Sequence, residues 1–203
     1  MLRKLFLTTA FFGALCIPAV ADEESSNAAD SSNVQRNDVV LLSNVSEIVG
    51  TSRLFRDKRG VSMDLIATGL SPGAAYTAWW VIFNNPSACI NATNTMVSED
   101  QRCDSGDLGN PNVKAGLMWA TGQQAGDGGV ATFSATLPEG DVSGDRPNPA
   151  LNAALLDAGE AEIHIVVRTH GAVGSGPGSV LDQLTTFEGG CATCANKMFA
   201  AHP

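Results

Sequence analysis

The chain has 203 residues, with 21 acidic side chains against 12 basic ones and a net charge of −9. A surface of that sign repels phosphate backbones, so nucleic acid is excluded as an expected partner. The length suits one domain beyond the N-terminal segment, and 44% hydrophobic residues provide for a core.

Arg3 and Lys4 open the chain, an apolar run from Leu5 to Val20 follows, and Ala19-Val20-Ala21 supplies small residues for cleavage. This is the plan of a secretory signal peptide, residues 1–21, cut ahead of Asp22. The run falls short of the roughly 20 apolar residues of a membrane helix. Cys16 lies inside it and follows Leu15, where lipoprotein processing needs a small residue. Removing Arg3 and Lys4 leaves 10 basic and 21 acidic side chains, a net −11 for the mature chain. No other stretch is long and apolar enough to span a bilayer. A secreted or periplasmic protein is expected.

Asp22 to Asn37 is polar, nearly free of large apolar residues, and reads as a flexible leader. A single domain then runs over 38–203. Asp38–Ser43 is a short apolar strand. Gly60–Leu70 alternates, with Val61, Met63, Leu65 and Ala67 on one face and Ser62, Asp64 and Thr68 on the other. Ser71-Pro72-Gly73 is a turn, Pro fixing φ and Gly accepting a positive one. Ala75–Phe83 is apolar on both faces and predicts a strand in the middle of a sheet. Asn84–Pro111 is a long loop. Ala115–Gln123 and Gly129–Leu137 are strands flanking Asp127-Gly128, a hairpin signal. Asn148–Gly159 has an Asn N-cap, Pro149 at the first helical position and a Gly stop, which predicts a helix. Ala161–Gly171 is a strand, and Leu181–Phe187 and Asn196–His202 read as closing strands. The expected fold is all-β: an antiparallel β-sandwich, Greek-key or jelly-roll-like, with one short helix.

Val61–Val81, with its Gly-Leu-Ser-Pro-Gly turn followed by an aromatic-bearing strand, resembles the hairpin of secreted Greek-key sandwiches, among them copper–zinc superoxide dismutases and CHRD domains. Gly129–Leu137 resembles strands of bacterial immunoglobulin-like modules. The resemblance implies the architecture. Those families carry histidines on the strand after the turn; here that strand carries Trp79 and Trp80, so the dismutase metal site transfers to no position.

Four cysteines remain in the mature chain: Cys89, Cys103, Cys191 and Cys194. An even number in an exported chain reads as two disulfides, with three connectivities open. Local pairing, Cys89–Cys103 and Cys191–Cys194, is preferred because each pair falls within one loop-like segment. Cys191-Ala-Thr-Cys194 also has the spacing of a redox pair, though without the strand–helix setting of a thioredoxin-like site.

Three groups of side chains are site candidates. On the Ala161–Gly171 strand, Glu162, His164, Arg168 and His170 share a face, opposite Ile163, Ile165 and Val167. His164 and His170 are three two-residue steps of about 6.6 Å apart, too far for one metal. Glu162 and His164 are near enough to act as a carboxylate and the base it orients; Arg168 would then hold an anionic group. The plainer reading of this face is a solvated strand surface carrying Glu–His or Glu–Arg pairs. Trp79, Trp80, Tyr76 and Trp119 are the second group, but adjacent strand residues point oppositely, so Trp79 and Trp80 cannot share a platform. The third group is Asp104, Asp107, Asp141 and Asp145 in two Gly- and Asn-rich loops, oxygen donors suited to calcium, although the EF-hand spacing is not met. Nothing in the sequence requires a cofactor; calcium or a transition metal would suit the donors present. The expected function is an exported, disulfide-stapled binding or surface-associated module for a small ligand, a metal ion or a cell-surface component. The alternative is a secreted or periplasmic enzyme with its polar site on Glu162–His170.

Overall fold

The computed structural model describes residues 33–90, 96–190 and 194–203. Eight strands form one antiparallel sheet: β1 (Val34–Leu41), β2 (Asn44–Asp57), β3 (Gly60–Ala67), β4 (Ala74–Phe83), β5 (Ala115–Gln124), β6 (Ala131–Pro138), β7 (Glu162–Ala172) and β8 (Ala195–His202). One short helix, α1, covers Val180–Thr185. The strand order is β5-β4-β7-β8-β1-β2-β3-β6. The end strands β5 and β6 lie against one another, so the sheet curls into a nearly closed barrel. The two facing layers are thus halves of one continuous sheet. Among the described residues no helix is long and apolar enough to cross a membrane.

Period-two alternation builds the interior. Val61, Met63, Leu65 and Ala67 of β3, Trp80 and Ile82 of β4, and Ile163, Ile165 and Val167 of β7 are all buried in one core. β4 lies between β5 and β7 and is buried along its whole length, as its two apolar faces require. Gly73, with φ +72°, makes the tight turn into it, and Ala74 N–H closes that turn on Ser71 O.

Four expectations need correction. Strand β1 begins at Val34, so the last residues of the polar stretch are paired with β2 instead of hanging free. The turn at Asp127-Gly128 forms, but β5 and β6 are not a hairpin: β6 pairs with β3. Residues 148–159 are not helical. Asn148 Oδ1 accepts Ala150 N–H in a local turn, and the chain then docks on the edge of β5, Leu117 N–H donating to Leu151 O and Asn152 bridging Gly116. An open strand edge offers those backbone groups partners that outweigh helix propensity. The helix forms instead at Val180, in a stretch read as strand. Ser179 accepts from Asp182 N–H while the Asp182 carboxylate accepts from Ser179 N–H, a reciprocal cap.

β8 joins the two halves. It pairs at length with β7 but meets β1 only at Val40↔Phe199 and Leu41↔Met198. Beyond that the strands part, and side chains span the gap: Asn37 Nδ2 donates to Ala201 O and Gln35 Nε2 to Pro203 O. Inside the barrel Ser52 Oγ lies 2.8 Å from His202 Nε2, while His202 Nδ1 is buried without a partner. Burial first, then the charges of Arg56 and His164, push the His202 pKa down to about 3.

Candidate functional site

The polar face of β7 is not wet. Glu162, His164, Arg168 and His170 are 1%, 5%, 6% and 0% exposed, so the solvated reading is overturned. Two long connections cover them: the β4–β5 loop and the chain between β7 and β8.

The Cys89–Cys103 disulfide, at a sequence separation of 14, staples the first cover. It sets Arg102 N–H and Cys103 N–H 2.9 and 3.1 Å from the two oxygens of Glu162. Glu162 Oε1 also accepts from His164 Nε2 at 2.7 Å. Because a carboxylate only accepts, Nε2 carries the hydrogen, and in the neutral ring Nδ1 is left as an acceptor. Nδ1 has no hydrogen-bond partner among the described residues. The ring lies between Phe83, centroid to centroid 4.8 Å, and Phe199, 6.0 Å.

Arg168 and His170 stand apart, beyond Val166, and hold the second cover. Arg168 donates from Nε to Phe187 O, from Nη1 to Asn196 Oδ1 and from Nη2 to Glu188 Oε1, with its guanidinium 3.9 Å above the Phe187 ring. Every arm of the fork is engaged, and the anionic group it holds is the Glu188 carboxylate. His170 Nδ1 donates to Gly189 O, Nε2 accepts from Thr77 Oγ1, and Thr77 Oγ1 accepts from Trp79 Nε1–H. That chain fixes the neutral tautomer, and burial pushes the His170 pKa down against the opposing pull of Gly189 O. Cys194 Sγ lies 3.4 Å from His170 Nδ1, and Cys194 is disulfide-bonded. Cys191 lies outside the described residues.

Between the first cover and the sheet is a cavity of about 180 Å³. Trp79, Val81, Phe83, His164, Val166 and Phe199 contribute from the strands. Gln101, Asp104, Leu108 and Phe187 contribute from the covers. Alternation alone places Trp79, Val81 and Phe83 on one face; no local signal places Leu108, Phe187 or Phe199 above them. A wider groove of about 590 Å³, with Glu99, Asp100, Arg102 and Glu160 on its rim, is open and polar.

The remaining candidates are spread out. Trp80 is in the barrel core, Trp79 is buried edge-on against Phe187, Trp119 Nε1 donates to Leu184 O, and Tyr76 OH accepts from Ser71 N–H. Asp104 and Asp107 cap a 3-10 turn over Ser105–Gly109, and Asp107 also accepts from Ile90 N–H. Asp141 accepts from Ser143 N–H, which lowers its pKa, and Asp145 accepts from Phe187 N–H. Among the described residues no three His, Cys, Asp or Glu side chains converge as a metal site.

No family model matches the chain, and no curated protein does. Solved structures of a SOD-like protein from Bacillus subtilis are similar in coarse fold. Its double mutant gives 12% identity and a TM-score of 0.35 over 82% of this chain and 94% of that chain. A single mutant gives 12% identity and a TM-score of 0.33 over 82% and 95%. Values this low carry neither a family nor an activity to this chain.

Proposed function

We propose that this is an exported binding module that holds one small ligand in the cavity over β4 and β7. One observation carries the reading: His164 is anchored through Nε2 to Glu162, lines a largely apolar cavity, and has no partner for Nδ1 among the described residues. An oriented acceptor on the wall of a mostly apolar cavity is the kind of polar group that fixes a ligand's orientation. About 180 Å³ is below the roughly 300–1,000 Å³ of drug-sized sites, which points to a small molecule.

The test uses phenol as a probe, followed by saturation-transfer NMR. Saturable binding is expected in the intact protein and not in Val166→Phe, which fills the cavity. No binding to the wild type, or equal binding to both, would reject the site. Export is tested separately: N-terminal sequencing of protein recovered from outside the cytoplasm is expected to begin at Asp22.

The same Glu162–His164 geometry favours a second reading, an enzyme with His164 as general base. Deuterium exchange into nitroethane, faster with the protein than with its His164→Ala variant, would support it; identical rates would remove it.

A further inference from the structure

We propose that the cavity selects a para-acyl phenol, an aromatic ring with a hydroxyl donor at one end and a carbonyl acceptor at the other. This rests on the reading that the cavity is a ligand site. Its lining includes one acceptor and one donor whose roles are set by their neighbours. His164 Nδ1 is the acceptor, because Nε2–H is committed to Glu162. The Asn196 amide is the donor. A guanidinium only donates, so Arg168 Nη1 holds the Asn196 oxygen and leaves the NH2 group on the other side. That group has no partner among the described residues. His164 is buried and Asn196 is exposed, which puts the acceptor at the closed end of the cavity and the donor at its mouth.

The register of β7 and β8 sets the reach between them. His164 pairs with Ala201 and Arg168 with Asn196, so the two groups stand on strand positions roughly 13 Å apart. Val166, paired with Trp79 on one side and Phe199 on the other, occupies the interval and gives a flat ring an apolar floor. A para-acyl phenol has roughly 6 Å between its oxygens, and a hydrogen bond of about 2.8 Å at each end completes the span. The meta isomer has the same groups and polarity but sets them at an angle instead of opposed. Phenol itself can meet only His164.

The experiment is calorimetric titration of the protein with 4-hydroxyacetophenone, with its meta isomer 3-hydroxyacetophenone, and with phenol. The para compound is expected to bind about fivefold more tightly than either, the worth of one added neutral hydrogen bond. Asn196→Asp keeps an oxygen for Arg168 and exchanges the donor for an acceptor, so in that variant the preference over the meta isomer should vanish. The inference is overturned if the meta isomer or phenol matches the para compound, or if the preference persists in a folded Asn196→Asp. Should that variant fail to fold or lose phenol binding, the wild-type order decides. Phenol binding without a para preference sinks the selectivity and leaves the cavity; failure of all three probes sinks both.

Discussion

Glu162 and His164, two residues apart on β7, are joined at 2.7 Å inside the protein, and the same carboxylate holds two backbone N–H groups from a loop some 60 residues earlier. Removing it leaves three donors without an acceptor, each costing about 1–3 kcal/mol. Glu162→Ala is therefore expected to destabilise by about 4 kcal/mol and Glu162→Gln, which retains one acceptor oxygen, by about 2 kcal/mol. Urea unfolding monitored by tryptophan fluorescence measures both. A cost under about 1 kcal/mol for Glu162→Ala would mean that the loop does not depend on this carboxylate.

The Cys89–Cys103 bond closes a loop of about 15 residues, worth roughly 3 kcal/mol in the chain-entropy account. The Cys89→Ala/Cys103→Ala double variant should melt about 6–12 °C lower by calorimetry. Phenol binding should weaken as well, because the loop that carries Gln101, Asp104 and Leu108 is the cavity wall.

Acid should destabilise the protein through His202. Its folded pKa, about 3, lies below the ordinary 6.5, so the neutral ring is favoured by folding. As pH falls below about 6.5 the unfolded chain takes up a proton that the folded chain refuses, and stability drops until the folded pKa is reached. Between pH 7 and 5 the loss from this one group is about 2 kcal/mol, before most carboxylates titrate. His170, also lowered by burial, adds loss in the same direction. Urea midpoints measured across that range should slope less steeply in His202→Gln; parallel slopes would contradict the buried neutral ring.

Gly122 on β5 has no room for a side chain: a Cβ there would lie 2.0 Å from Leu184 O. Leu184 O also accepts Trp119 Nε1–H. Gly122→Ala should push α1 off the sheet, cost about 1–3 kcal/mol and shift tryptophan emission to the red. Gly128→Ala, where a Cβ meets nothing within 4 Å, serves as the control and should leave the spectrum unchanged.

The barrel wall was legible because burial on it follows a period of two. The core-facing residues of β3, β4 and β7 stand out by alternation, and the unbroken apolar run of β4 marks its central place. The cavity was half legible: Glu162 and His164 share a face by register, but what covers them is set by Arg102 and Cys103, far away in sequence. The helix was misplaced because Asn148 and Ser179 both carry capping chemistry. Only the unpaired edge of β5 decides between them, and that is a tertiary fact.

β8 lies between β7 and β1, so before its residues are made the sheet exists only as two separate pieces, β5-β4-β7 and β1-β2-β3-β6. A nascent chain therefore cannot close this barrel until synthesis has reached about residue 202. Up to that point the two pieces stay unjoined, each with an open strand edge.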